Sequence, residues 1–214
     1  MVRHEKLGGA AGYLAVGLLG AQAFLLAGAT ADPALPSFAQ ALAHERWRFK
    51  AITLLRIAGA LALVWFTTSL ASRLRRAGRA HAAHAAVALG AGMLWAATWL
   101  TSALFNSLAL TFAMAGQDGE AARFAGALAT ESIYVLTPGL TLLLLAATAV
   151  VALEDRTFPR LFAYGTLVAT VLRLGLALWD WYGPGNLGVG LLDVALLWIG
   201  AAGTQLLRPR EAAV

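Results

Sequence analysis

Two arginines and one aspartate stand inside long apolar runs of this chain. Arg56 lies in TLLRIAGALALVWF, Arg173 in VATVLRLGLALW and Asp193 in VGLLDVALLW. Because an ionised side chain in hydrocarbon is costly, such residues usually face a protein interior and pair there. A paired set either holds helices in one arrangement, or lines a cavity that binds a polar group or relays protons. The sequence leaves both uses open.

Other polar residues fall at a similar distance from the ends of neighbouring apolar runs. At 1.5 Å per residue these positions lie within a band of roughly 10 Å, with at least one in each run. The predicted polar layer, which is also the candidate ligand-binding set, comprises Gln22, Arg56, Asn106, Glu131, Tyr134, Arg173 and Asp193. We expect Arg56 to turn inward and to share this layer with Glu131, Arg173 or Asp193.

Three of these residues have an alternative placement. Arg56 and Arg173 are within about two turns of predicted helix ends, and a long side chain can extend that far to reach the headgroups. For Glu131 the alternative is a flanking or capping position in the headgroup region. Asp193 has a shorter side chain, which favours an inward, paired position.

The four histidines offer one pattern with metal-ligand spacing. In HAAH, His81 and His84 share a helical face at i, i+3, a spacing that allows both to bind one metal ion. No third ligand lies near them in sequence, and we predict an interfacial polar patch without metal. No histidine lies deep in an apolar run, so a haem held by two histidines is not expected.

The remaining motifs do not indicate a resident cofactor. GPGNLGVG (183–190) is rich in glycine but follows no strand, so it does not fit a phosphate-binding loop. Trp95 and Trp99 lie on one helical face, where packing is the expected role and contact with a lipid, quinone or carotenoid the alternative. We predict no catalytic residues, no metal and no cofactor.

Composition places the chain in a membrane. Of 214 residues, 60% are hydrophobic and 13% are charged, against about 25% charged in soluble domains. Cysteine is absent, which excludes disulfides, thiolate catalysis and iron–sulfur ligation. The formal net charge is +5, but the basic residues stand beside apolar runs, so we expect them to anchor the chain at a membrane and not to bind nucleic acid.

Six apolar segments are long enough to cross about 30 Å of hydrocarbon. They lie at roughly 8–30, 50–71, 84–113, 132–153, 158–179 and 187–207. The sequence therefore predicts an all-α polytopic membrane helix bundle, with residues 1–214 as a single six-span domain. PSFAQALAHERWRFK and EAARFAGALATE are helix-compatible extensions, AGQDG (115–119) indicates a turn, and Pro159 marks the start of the fifth span.

Loop charges predict the orientation. One side of the bundle would carry ten Lys or Arg residues and the other side four. For a bacterial inner membrane, the positive-inside rule therefore places both termini on the cytoplasmic side. The ten are Arg3, Lys6, Arg73, Arg75, Arg76, Arg79, Arg156, Arg160, Arg208 and Arg210; the four are Arg46, Arg48, Lys50 and Arg123. We expect RLRRAGR (73–79) to contact anionic headgroups.

Two stretches resemble a known group of proteins. RIAGALALVW and EDRTFPRLFAYGTLVATVL are similar to segments of uncharacterised six-helix bacterial membrane proteins. In these proteins a short, basic, proline-containing loop leads into the fifth helix. The resemblance implies the six-helix layout, and it implies no functional residues.

Three functions are compatible with the pattern. We expect first a non-enzymatic accessory or structural subunit that acts through lateral contacts with a membrane-protein partner or with its own copies, using small residues such as Gly8 and Gly12. The alternative is a small transporter or ligand-binding protein with an outward cavity floored by the ionised residues of the polar layer. A membrane enzyme is the least favoured.

Overall fold

A computed structural model of the chain consists of helices joined by short connections. It describes residues 2–27, 38–115, 119–155, 158–182 and 188–207, with the backbone alone at 2–4, 27, 180–182 and 188–193. The helices are α1 (Val2–Ala27), α2 (Phe38–His44), α3 (Arg46–Arg75), α4 (Ala82–Met114), α5 (Gly119–Glu154), α6 (Arg160–Tyr182) and α7 (Gly188–Leu207), and a 3₁₀ turn spans Arg79–His81. No strand occurs in these ranges, so the described chain is all-α.

The predicted six-helix membrane bundle is confirmed. Helices α1, α3, α4, α5 and α6 are long and apolar enough to cross a membrane, and α7 contributes a shorter apolar segment to the same bundle. The chain is therefore a multi-pass membrane protein. Helix α6 begins directly after Pro159, as predicted, whereas most of the turn predicted at 115–119 lies outside the described residues.

The six long helices close into a ring. Each packs on the next in the order α1, α3, α4, α5, α6, α7, and α7 returns to α1, where the Tyr13 and Thr204 hydroxyls lie 2.6 Å apart. Helix α7 also touches α3 and α5. Side chains on the inner faces of different helices can therefore meet inside the ring.

Glycines bring α1 and α3 close together. A Cβ atom on Gly12 would lie 2.9 Å from the Phe66 ring, one on Gly59 would lie 2.7 Å from Leu19, and one on Gly8 would overlap Ser69. Small residues at such crossings let the helix backbones approach. The expectation that Gly8 and Gly12 serve contacts with other proteins is wrong, because both pack against α3 of the same chain.

Several helix ends meet at one end of the ring, which we call the basic end. Glu5 near the start of α1 pairs with Arg76 after α3, and His81 before α4 places Nδ1 3.5 Å from Oε2 of Glu154 at the end of α5. These contacts put the start of α1, the turn between α3 and α4, and the end of α5 at one level.

The other end carries a cap. Helices α3, α4 and α5 have 30, 33 and 36 residues, about 45–54 Å in length, whereas the hydrocarbon is about 30 Å thick. Because they share the basic end with α1, their excess length projects at the opposite end, where α2 packs on all three. This cap contains the two stretches predicted to extend the second and fourth spans; where described they are helical, with a turn at Glu45.

Two apolar clusters fill the interior. The larger, the ring cluster, includes Leu19, Ala60, Leu63, Phe66, Trp95, Trp99, Ile133 and Trp198. The smaller, the cap cluster, consists of Phe38, Leu42, Phe49, Ile52, Ala109, Leu110, Ala122 and Ala125. On α3, α4 and α5 the two clusters are separated by a few positions, and these positions carry polar contacts.

Candidate functional site

A polar layer separates the cap cluster from the ring cluster. It is formed by Thr53 and Arg56 on α3, Ser102 and Asn106 on α4, and the carbonyl of Ala129 on α5. Arg56 is 19 residues from Arg75 at the basic end of α3, which corresponds to about 28 Å along the helix. This distance is close to the thickness of the hydrocarbon, so the layer lies near the hydrocarbon edge opposite the basic end.

Arg56 is turned into this layer. Its side chain is 4% exposed, so it is enclosed by the bundle and does not extend along the lipid-facing surface. Its Nη1 donates a hydrogen bond of 2.8 Å to Ser102 Oγ, and Ser102 in turn donates to the carbonyl of Ala129. These two bonds connect α3, α4 and α5 in series.

The rest of the Arg56 guanidinium lacks hydrogen-bond partners among the described residues. Its Nε is buried without an acceptor, and no described carboxylate forms an ion pair with it. Tyr134 of α5 lies in the neighbourhood of this guanidinium. The layer thus contains a buried positive charge whose described neighbours are neutral.

Asn106 ties α4 to α3 in the same layer. Its Nδ2 donates to the carbonyl of Phe49 at 3.1 Å and to Thr53 Oγ1 at 2.7 Å. Thr53 Oγ1 also donates to the Phe49 carbonyl at 2.9 Å. The carboxamide of Asn106 is thereby held between two groups of α3.

Gln22 reaches the same level from α1. Helices α1 and α3 run antiparallel, and Leu19 contacts the position of Gly59, so one further turn brings Gln22 abreast of Arg56. Gln22 is buried, and its Oε1 has no hydrogen-bond partner among the described residues. Two polar atoms without such a partner therefore lie at one depth on neighbouring helices.

Arg173 lies at a different level. It is 1% exposed, and its Nε donates to Thr141 Oγ1 on α5 at 2.7 Å. Thr141 and Ala129 are 12 residues apart, about 18 Å along α5. The expectation of one layer within about 10 Å is therefore corrected for these two arginines. That expectation estimated depth from the ends of the apolar runs. These ends do not mark a common level, because α3, α4 and α5 continue into the cap.

The expected carboxylate partners do not all take part. Glu131 is exposed and forms no ion pair with another described residue. It is two residues from Ala129, which is about 200° around the helix, so it points away from Ser102. The expected pairing of Arg56 with Glu131 is thus absent. The Asp193 side chain lies outside the described residues, so its pairing stays a prediction.

A second polar cluster was not singled out in the sequence. Arg73 is buried at the basic end, with Nη1 3.9 Å from Glu5 Oε2, a hydrogen bond to the Gln205 carbonyl, and its guanidinium carbon 5.3 Å from the centre of the Phe158 ring. The expectation that the whole 73–79 stretch contacts headgroups is therefore corrected. Arg73 follows Leu70 by three residues on a buried apolar face, and this spacing was the available signal.

Folding brings a carboxylate close to the histidine pair, although none lies near it in the sequence. His81 lies beside Glu154 of α5, and the rings of His81 and His84 are 6.4 Å apart. Over the described ranges, no three His, Asp or Glu side chains come together in a way that could hold a metal ion. The absence of metal at HAAH stays a prediction.

An apolar groove of about 460 Å³ runs between α6 and α7. Among the described residues of its lining, Thr166 and Gln205 are the polar ones, and the Thr166 hydroxyl accepts a hydrogen bond of 3.1 Å from Trp198 Nε1. A Cβ atom on Gly165 would meet no atom within 4 Å. Only 28% of the α6 span is buried, against 56% of the α5 span, so α6 is covered on one side only.

The described residues thus form two kinds of site, a buried cation at the cap boundary and an apolar groove on the outside of the ring. No protein-family model, curated protein or solved structure matches the chain. What these sites can bind therefore follows from their own chemistry.

Proposed function

We propose that this protein is an accessory subunit without catalytic activity, which works through lateral helix contacts in a larger membrane assembly. The groove between α6 and α7 supports the proposal. Its described lining is almost wholly apolar, so it suits an apolar surface better than a polar solute.

The occupant we propose is a transmembrane helix of another membrane protein. Gly165 and Ala169 are four residues apart on α6, and Ala201 faces them from α7. In lipid, helices associate by close packing over small residues, since apolar area alone is equally well covered by acyl chains. A concave surface with an open glycine offers a helix more contact than it offers a mobile acyl chain.

We also propose the location and orientation. The chain would lie in a bacterial inner membrane with the basic end in the cytoplasm, where the excess of Lys and Arg is expected. The resemblance to uncharacterised six-helix bacterial membrane proteins is compatible with this location, and membership of that group remains part of the proposal.

The test compares two glycine substitutions on α6. Gly165→Leu fills the groove, whereas Gly175→Leu adds the same side chain at a position that does not line it; neither Cβ would meet an atom within 4 Å. Both variants should therefore fold. Each is expressed at native level in its host and extracted in a mild detergent, and the mass and subunit composition of the complex are measured.

We expect the wild type and Gly175→Leu to retain a second membrane protein in fixed stoichiometry, and Gly165→Leu to lose it. A particle that contains this chain alone, as a monomer or as several copies, would overturn the proposal. So would a groove occupied by lipid, quinone or carotenoid in all three proteins.

A further inference from the structure

We propose that Arg56 binds the oxyanion of a ligand, a carboxylate or phosphate group that enters the polar layer between the two apolar clusters. The site goes beyond the proposed lateral association, because it lies inside the ring and not in the α6–α7 groove. Four observations carry it: a charge that no described carboxylate compensates, a guanidinium edge without a described acceptor, the neutral polar groups around it and its depth.

The first observation is the charge itself. Arg56 is 4% exposed, and its one hydrogen bond to a described residue goes to the neutral hydroxyl of Ser102. A buried cation is strongly unfavourable unless a counter-charge and hydrogen bonds offset its desolvation. No described carboxylate supplies that counter-charge. An anionic group from outside the chain would do so.

The second observation is the geometry of the guanidinium. Nη1 is committed to Ser102, while Nε is buried without an acceptor. The edge formed by Nε and Nη2 is the one through which arginine holds an oxyanion by two parallel hydrogen bonds. Since Ser102 is itself held by the Ala129 carbonyl, the guanidinium is fixed with that edge unused by the described residues.

The third observation concerns the neighbours. Tyr134 lies in the neighbourhood of Arg56, and Gln22 lies at the same depth with a buried carboxamide whose Oε1 has no partner among the described residues. A carboxamide can turn its nitrogen toward an acceptor, and a phenol can donate its proton. Glu131, which would repel an anion, points away. The surroundings therefore offer donors without a described negative charge.

The fourth observation is depth. Arg56 lies about 28 Å from the basic end, near the outer edge of a hydrocarbon layer of about 30 Å. This is the level of the phosphates and carboxylates of membrane lipids, and it is also near the aqueous boundary. The same chemistry can therefore be supplied by a lipid headgroup, by a fatty acid or by a free anion.

The experiment measures binding to the purified full chain. Thermal unfolding in an uncharged detergent is followed during titration with inorganic phosphate or oleate, and in nanodiscs of phosphatidylcholine with or without phosphatidylglycerol. Arg56→Gln removes the charge, and Arg56→Lys keeps a point charge but loses the two-pronged edge. Arg46→Gln is the matched control, because it removes an exposed arginine from the same helix.

We expect at least one probe to raise the Tm of the wild type and of Arg46→Gln. Arg56→Gln should weaken this response by on the order of tenfold to hundredfold, as charge-assisted hydrogen bonds are lost, and Arg56→Lys should lie between. If Arg56→Gln does not fold, Arg56→Lys alone carries the comparison. A response to phosphate indicates a free anion, whereas a response to oleate or phosphatidylglycerol alone indicates a lipid.

Three results would overturn the proposal. The first is a wild type that responds to none of the probes, and the second is a response of Arg56→Gln and Arg56→Lys equal to that of the wild type. The third is a response that appears only after Asp193→Asn, which would show that a carboxylate of the chain itself holds Arg56 in the native protein.

Discussion

Nη1 of Arg56 lies 2.8 Å from Oγ of Ser102, and this contact joins α3 to α4 at the boundary between the cap cluster and the ring cluster. The same hydroxyl donates to the Ala129 carbonyl of α5. A serine proton and a serine lone pair thus hold a buried arginine in one orientation. The anion binding proposed for Arg56 depends on this arrangement.

Ser102→Ala should destabilise the protein by about 1–3 kcal/mol, because it leaves buried polar groups on α3 and α5 without their partner. Ser107→Ala is the matched control, since Ser107 is exposed on the same helix and alanine favours the helix. The free energy of unfolding of both variants in one detergent is the measurement. Equal stabilities would show that the Ser102 contacts contribute nothing.

Arg73→Gln should lower the free energy of unfolding by about 2–3 kcal/mol, because it removes the charge that faces Glu5, the Gln205 carbonyl and the Phe158 ring. Arg75→Gln, an exposed neighbour that carries the same charge, should change it by less than about 0.5 kcal/mol. Denaturation of the two variants side by side checks this. A larger loss in Arg75→Gln would contradict the inward position of Arg73.

Gly92→Ala should destabilise the bundle by about 1–3 kcal/mol, because the added methyl group would overlap Thr67 at the crossing of α3 and α4. At Gly90, two residues away, a Cβ atom meets nothing within 4 Å, and alanine should be neutral or stabilising by up to about 1 kcal/mol. The measurement is the Tm of the two variants. A stable Gly92→Ala protein would mean that α3 and α4 are farther apart.

A reporter fused after Val214 should be found in the cytoplasm. The reason is the ten-to-four excess of Lys and Arg that the sequence predicts for one side of the bundle, which the positive-inside rule places on the cytoplasmic side. Paired reporters, one active only in the cytoplasm and one only in the periplasm, decide the matter. Periplasmic activity would reverse the proposed orientation.

The sequence alone was sufficient to predict the membrane bundle and its six helices. The reason is local: hydrocarbon offers no hydrogen bonds, so each crossing must be a helix of about 20 apolar residues, and a run of that length is visible in the sequence. The helical extensions beyond the second and fourth spans were also predictable from local sequence, because they lack strong helix breakers over most of their length.

The tertiary structure decided which polar residues meet. Arg73 and Arg75 are two positions apart with the same charge, yet one is buried and the other exposed, because successive residues turn by about 100° around the helix. Arg56 and Arg173 occupy similar places in their apolar runs, yet Arg173 contacts α5 directly at Thr141, whereas Arg56 is linked to α5 through Ser102, at Ala129, about 18 Å away. Which side chains become partners depends on the rotation and the axial position of one helix relative to another. These relations are set by long-range packing, such as the contact of Leu19 at Gly59, and apolar periodicity within one helix does not contain them.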